Sequence, residues 1–175
     1  IPALGTQASI VALAALNLVL GLVLLTADRT LSSVRRLVTF GVAGVPILVV
    51  ALLLPADFLA SLFARSEPGS RMPYLHETAE GTVTVHEYRD GKRLLKVNGG
   101  GEVPTDYASL QTFRLLGNLP MLLHDEPEEV LVIAFGGGIS LASVARHEPR
   151  RLDCAEVVPG VVRAAGFFAR YNDSI

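Results

Sequence analysis

No charged side chain occurs from residue 1 to residue 27, and QASIVALAALNLVLGLVLLT fills positions 7–26. A helix rises ~1.5 Å per residue, so about 20 such residues cross the hydrocarbon core of a bilayer. A second uncharged run, LVTFGVAGVPILVVALLLPA, occupies 37–56. Pro46 in its middle kinks a helix but is tolerated in a membrane. The pattern predicts two transmembrane helices, 7–26 and 37–56, inside a transmembrane region 1–63. A cleavable signal peptide is the rival for the first run, which is too long for one and has no basic leader. A buried helical hairpin of a soluble protein is the other rival.

Beyond this region the pattern changes. Residues 64–73, with Ser-Glu-Pro-Gly-Ser at 66–70, read as a linker. TVTVHEY (82–88) alternates, Arg89-Asp90-Gly91-Lys92 supplies a turn, and RLLKVNG (93–99) follows. Asp-Gly between two strand-like runs is a hairpin signal, placing an N-terminal β-hairpin segment at 74–104, with Gly99-Gly100-Gly101 ending the second run. The spacing of Leu110, Phe113, Leu116 and Leu119 predicts a helix from Asp106 to about Leu123, with Pro120 disturbing its end. VLVIAF (130–135) is continuously apolar, as a strand of a covered parallel sheet is. Three glycines follow, then a helix at 139–147, a strand RLDCAEV (151–157) and a helix VVRAAGFFARYN (161–172). This βαβα order implies an α/β fold, with 105–175 as the first half of a Rossmann-like, doubly wound sheet. Its remaining strands are expected beyond Ile175, and a start at Ile1 rather than Met suggests a piece of a longer chain.

Composition sharpens the division. The chain is 50% hydrophobic with a mean hydropathy of +0.44, yet 1–63 holds only Asp28, Arg29, Arg35, Arg36 and Asp57 as charges. A net charge of −2 without a basic run argues against nucleic acid as a partner. The single cysteine, Cys154, rules out an internal disulfide, fits a reducing compartment and reads as a small buried hydrophobe. His76, His86, His124 and His147 lack ligand spacing, so no metal site is expected. Asp125, Glu126, Glu128 and Glu129 read as a solvated loop, and Ser140 lacks the G-x-S-x-G context of a hydrolase.

The three glycines admit two readings, a nucleotide-binding turn or a bend between strand and helix. Small residues in such a turn let a ligand approach the backbone and let helix and strand pack closely. Gly136 and Gly138 are placed for this, and Ser140 is placed to cap the next helix. Glu156 ends the following strand 20 residues after Gly136, where a carboxylate accepts both ribose hydroxyls. Neither frame of the dinucleotide pattern G-x-G-x-x-G fits, since Ile139 or Leu141 would fill its last position. The spacing is more like an S-adenosylmethionine-type site, with Gly136, Gly137, Gly138 and Glu156 as its residues.

The runs SLQTFRLLGNLPMLLHDEPEEVLVIAFGGGIS (109–140), CAEVVPGVVRAAGFFARYN (154–172) and RLLKVNGGGEVPTD (93–106) resemble the spermidine synthase-like family, and more closely its membrane-fused, polytopic branch. The resemblance implies aminopropyl transfer from decarboxylated S-adenosylmethionine to a diamine such as putrescine. That nucleoside is a substrate, and no prosthetic group is implied. Glu156 corresponds to the family's ribose ligand and Glu102 to a glutamine. Asp106 corresponds to an acidic position near the active-site mouth, and also reads as a helix N-cap; Glu102 also reads as a solvated loop carboxylate. Gly137 stands where the family has an aspartate. The family's acidic catalytic segment is expected beyond Ile175, so these 175 residues alone are expected to be inactive. A homodimer through the β-hairpin segment is a further expectation.

Counting positive residues alone puts the loop of Arg29, Arg35 and Arg36 in the cytoplasm. A cytosolic nucleoside argues the other way, and the expectation adopted is a multi-pass membrane protein with its soluble domain in the cytoplasm. Two other functions stay open: an S-adenosylmethionine-dependent methyltransferase, and a non-catalytic nucleoside-binding or partner domain.

Overall fold

The computed structural model describes residues 5–27, 32–55 and 57–175. The chain divides into two units, Ile1–Leu59 and Ala60–Ile175. In the first, α1 spans Gly5–Ala27. A second helical run joins α2 (Ser33–Thr39), a π-helical turn (Phe40–Gly44) and α3 (Val45–Leu53). Pro46 explains the turn: its ring lacks an N–H and crowds the carbonyl four residues back. The backbone widens, and the Val45 N–H donates to the Phe40 carbonyl five residues earlier. Gly44 lies against Leu18 of α1, since a Cβ there would sit 3.3 Å from Leu18 Cδ1.

Polar side chains in this unit are turned inward on the backbone. Asn17 and Thr26 donate to the carbonyls of Leu13 and Val23. Gln7 accepts from the Leu59 N–H at 3.1 Å and donates to the Pro55 carbonyl. No residue of α1 is buried. By length and composition, α1 and the stretch Ser33–Val50 are each apolar enough to cross a membrane. Arg35 and Arg36, expected in a connecting loop, lie within α2. Asp28, Arg29 and Ala56 lie outside the described residues.

After α4 (Phe58–Arg65) come four antiparallel strands in the order β1 (Ser70–Glu77), β2 (Thr82–Tyr88), β3 (Arg93–Val97) and β4 (Gly100–Pro104). The segment is therefore a four-stranded meander rather than a hairpin. It also begins inside the expected linker, because Ser70 and Arg71 pair with Tyr88 and Glu87. The β2–β3 turn closes at Arg89-Asp90-Gly91, where the Tyr88 N–H meets the Lys92 carbonyl at 2.9 Å. The β3–β4 turn is Asn98-Gly99, with φ of 52° and 83°. Both are left-handed, as a two-residue type I′ hairpin requires and as Asn-Gly favours. Gly100 and Gly101 thus pair with Val97 and Lys96 as the start of β4.

One face of this sheet contributes Val83, Val85, Leu95 and Val103 to a core shared with Phe135, Ile139, Val161 and Phe168. The other face buries Thr84, His86 and Lys96. Residues 66–70 close it with polar bonds: Lys96 Nζ lies 2.6 Å from a Glu67 carboxylate oxygen, and the Tyr88 hydroxyl donates to the other at 2.7 Å. The Lys96 and Tyr88 bonds hold Glu67 below the usual carboxylate range. Desolvation, reinforced by the Glu67 bond, pushes Tyr88 up to about 12. Ser70 spends its single hydroxyl proton on the Glu67 carbonyl, so His86 Nδ1–H donates to Ser70 Oγ at 3.1 Å. His86 Nε2 then accepts from Thr84 Oγ1 at 3.3 Å. Desolvation and the nearby Lys96 keep this imidazole below its ordinary pKa.

The remainder is α5 (Tyr107–Leu123), β5 (Glu129–Ile133), α6 (Ile139–Ala145), β6 (Arg151–Ala155), α7 (Pro159–Arg163) and a 3₁₀ turn (Ala165–Phe168). Strands β5 and β6 are parallel, in register from Glu129↔Arg151 to Ile133↔Ala155. The chain is thus mixed α/β, with two apolar N-terminal helical runs and two sheets. Three expectations need correction. One face of β5 is open among the described residues, with Leu131 60% and Ile133 78% exposed. Cys154 is exposed rather than buried, because β6 shares that uncovered two-stranded sheet. The helix expected at 161–172 is broken: the Ala164 N–H is shared by the Gly160 and Val161 carbonyls, which tightens the chain into the 3₁₀ turn.

Candidate functional site

Pairing of β5 with β6 continues one step past the strand, where the Ala134 N–H donates to the Ala155 carbonyl at 2.8 Å. The backbone then turns sharply, with φ of 71° at Ala134, 55° at Gly136 and 75° at Gly138. The Gly138 N–H closes the turn on the Phe135 carbonyl at 2.8 Å. Ala134 holds a left-handed conformation that costs an L residue with a Cβ roughly 1–2 kcal/mol. Gly138 is the N-cap of α6. Ser140, expected in that role, lies two residues too late for it; its Oγ donates to the Phe113 carbonyl of α5 at 2.8 Å. Gly117 of α5 makes that approach possible, since a Cβ there would lie 2.7 Å from Ser143 Cβ.

The glycines are needed by the protein's own packing. A Cβ on Gly137 would lie 2.9 Å from Val103 Cγ1 and 3.4 Å from the Phe168 ring. A Cβ on Gly138 would lie 2.8 Å from the Phe135 ring and 3.0 Å from Asn172 Nδ2. The side chain of Asn172 has no exposure, and it donates to the Gly137 carbonyl at 3.0 Å and to Ala165 at 3.2 Å. Val103 of β4 and Asn172 thus brace the turn from two directions. Neither residue carried a signal in the sequence, because both act through contacts 34 or more positions away.

Glu156 is brought to this turn. One carboxylate oxygen accepts the Phe135 N–H at 2.9 Å and the other accepts the Val158 N–H at 2.8 Å. The side chain therefore ties the two loops that follow β5 and β6, while each oxygen keeps a lone pair. Beside the turn lies a cleft of about 400 Å³, bounded by Phe113 and Leu116 of α5, Val132 and Ile133 of β5, Gly136, Gly137 and Glu102. Glu102 and the glycine turn thus share one cavity. Asp106 is not part of it: this residue caps α5, accepting from the Ser109 N–H at 3.1 Å and the Ser109 hydroxyl at 2.6 Å. Those bonds hold its carboxyl below the usual range.

No family model and no curated protein matches the chain. Among solved structures it is similar to the crystal structure of a spermidine synthase in complex with the transition-state analogue AdoDATO. It is similar also to the crystal structure of spermidine synthase from Thermotoga maritima. Each likeness has a TM-score of 0.52 at 24% identity and covers 59% of this chain and 36% of that one. The chain has a spermidine synthase-like fold. It spans about a third of the length of the synthases it matches.

Proposed function

We propose that the second unit is the nucleoside-binding part of a spermidine synthase-like transferase anchored in a lipid bilayer. The observation that carries the reading is the glycine turn tied to Glu156 and opening on a cleft that Glu102 helps to line. Gly136, Gly137, Gly138 and Glu156 bind an S-adenosylmethionine-type nucleoside, with the ribose on the free lone pairs of Glu156. Glu102 holds the cationic amine acceptor. In the reaction the amine nitrogen attacks the carbon beside the sulfonium of decarboxylated S-adenosylmethionine. The carbon–sulfur bond breaks, methylthioadenosine leaves, and the new ammonium releases a proton to base. Such a displacement asks the protein mainly for positioning and a deprotonated amine.

The likeness in fold to the synthases supports this reading, as does the burial-free surface of α1, which suits lipid better than a soluble core. The two apolar runs cross the membrane, the soluble unit faces the cytoplasm where nucleosides are found, and the β1–β4 segment pairs two copies. Methyl transfer from intact S-adenosylmethionine is the second reading. It is favoured by Gly137, whose packing against Val103 leaves no room for an acidic side chain to meet an aminopropyl end.

Calorimetry on the full chain in nanodiscs tests the proposal, with methylthioadenosine and S-adenosylmethionine as titrants. Both are expected to bind, and Glu156→Gln to weaken each by about tenfold or more with an unchanged circular dichroism spectrum. Absence of binding by either nucleoside, with Glu156→Gln indistinguishable from the parent, sinks it.

A further inference from the structure

Basic side chains gather where the chain leaves its second apolar run. Helix α3 ends at Leu53, and α4 begins at Phe58. The start of α4 is fastened to the first turn of α1 by Gln7, which accepts from the Leu59 N–H and donates to the Pro55 carbonyl. Phe58 and Leu62 stand one helical turn apart, 37% and 47% exposed, and Arg65 is exposed in the last turn. An apolar side with a terminal cation suits the boundary between hydrocarbon and headgroups. Strand β1 then starts at Ser70, and the pairs Ser70↔Tyr88 and Arg71↔Glu87 bring the end of β2 beside it. Arg71 and the exposed Arg89 border a surface cleft of about 560 Å³, together with Gly69, Glu87 and Gly91. Glu87 is shared between two guanidiniums: one oxygen accepts from Arg71 Nε at 2.8 Å and the other from Arg93 Nη2 at 3.0 Å. Asp90 pairs with Lys92 at 2.9 Å, and Glu67 pairs with Lys96. Five cations, Arg65, Arg71, Arg89, Lys92 and Arg93, thus meet the two carboxylates of Glu87 and Asp90, and the surface is strongly positive.

We infer that this surface docks on anionic lipid, with Phe58 and Leu62 at the edge of the hydrocarbon and Arg65, Arg71 and Arg89 on headgroup phosphates. This docking rests on the reading of the two apolar runs as membrane spans, and it deepens that reading by naming the lipid. A guanidinium offers five N–H donors in a fork that matches phosphate oxygens, and Arg71 spends only part of its fork on Glu87. A free phosphate ester carries the same charge, but it gives the apolar side of α4 nothing to leave water for. Anionic lipids line the cytoplasmic leaflet, where each arginine near the surface strengthens docking about fivefold.

The test uses the full chain in nanodiscs of phosphatidylcholine, alone or mixed with phosphatidylglycerol. Amide exchange in α4 and at residues 86–92 is expected to slow about fivefold or more in the anionic discs. The gain should fade as salt rises toward roughly 1 M, where screening shortens the reach of each charge. Arg89→Glu should remove most of it, and Arg71→Gln combined with Arg89→Gln should erase it. The chain has no tryptophan, so Leu62→Trp supplies a lone indole, expected to be quenched by lipids brominated in their tails. Equal exchange in the two kinds of disc overturns the inference while the spans stand, as does an unquenched indole. If glycerol 3-phosphate slows exchange as much in phosphatidylcholine discs, the cluster belongs to a soluble phosphate ester and the lipid assignment falls. A chain that fails to elute with the discs overturns the membrane reading and this docking with it.

Discussion

Strands β2 and β5 behave in opposite ways to what their residue patterns suggest. TVTVHEY alternates, the mark of a strand with one face in water, yet Val83, Thr84, Val85 and His86 are all buried. EVLVI is nearly all apolar, the mark of a strand covered on both faces, yet Leu131 and Ile133 stand exposed. What decides burial is the partner available to each face. The polar face of β2 is closed by residues 66–70 through Glu67, Tyr88, Lys96 and His86, each polar group finding another. The apolar outer face of β5 has no cover among the described residues. A polar pattern therefore does not mean a wet face when a matched polar segment lies next to it.

Truncating a core residue on each sheet gives the widest contrast. Leu95→Ala on β3, fully buried beside β2, is expected to destabilise the second unit by about 2–5 kcal/mol, read by urea unfolding. Leu131→Ala on β5 should stay within about 0.5 kcal/mol. Equal effects would mean that the open face of β5 is covered in solution.

Ion pairs sharpen the same contrast. Lys96 is 9% exposed in its pair with Glu67, whereas Arg151 and Asp153 on β6 are 67% and 51% exposed. Glu67→Ala strands a buried ammonium and should cost about 2 kcal/mol, the buried-pair range lowered for the partial exposure of Glu67. Arg151→Ala should cost less than about 0.5 kcal/mol. A smaller loss for Glu67→Ala than for Arg151→Ala would remove the polar latch as the cover of β2.

Backbone strain at the end of β5 offers a gain instead of a loss. Ala134 has φ of 71° and an exposed side chain, so Ala134→Gly is expected to stabilise the unit by about 1 kcal/mol in the same unfolding experiment. No gain would show that the turn is relaxed in solution by a different conformation.

The smallest effect concerns acid. His86 and Glu67 are both held below their ordinary values of 6.5 and 4.5, so the folded state binds fewer protons than the unfolded one. The stabilisation is whole above pH 6.5 and is lost as pH falls, first through His86 and then, below pH 4.5, through Glu67. Amide exchange corrected for its intrinsic pH dependence should show β1 losing protection below pH 6.5 before β5 does. Simultaneous loss in both strands would contradict a local latch. His86→Gln should flatten the first step.

Local signals were legible where a short stretch of chain settles its own structure. The uncharged run at 7–26 lies within α1 and the second run is helical from residue 37 to Leu53, the Asp-Gly at 90–91 makes its turn, and Asp106 caps the helix it precedes. The Asn98-Gly99 turn is equally local, and it carries the chain into a fourth strand where the hairpin expectation ends at three glycines. The glycine turn and Glu156 stood out by spacing, and the bond from Phe135 to Glu156 brings them together. Spacing did not reveal what surrounds them. Val103, Phe168 and Asn172 reach the turn from distant positions, and Glu102 borders the cleft only because β4 packs there.

The sequence by itself determined the apolar helices, the strands β2, β3, β5 and β6 with the turn between β2 and β3, and the glycines that let β5 pass sharply into α6. Backbone sterics and hydrophobic periodicity act over a few residues and need no distant partner. The tertiary structure alone decided that β2 is buried on its polar face, that β5 is bare on an apolar one, and that Gly137 faces Val103 rather than open space. Those outcomes depend on which surfaces, far apart in the chain, close upon one another, since burial and hydrogen-bond satisfaction belong to pairs of surfaces and not to either one alone.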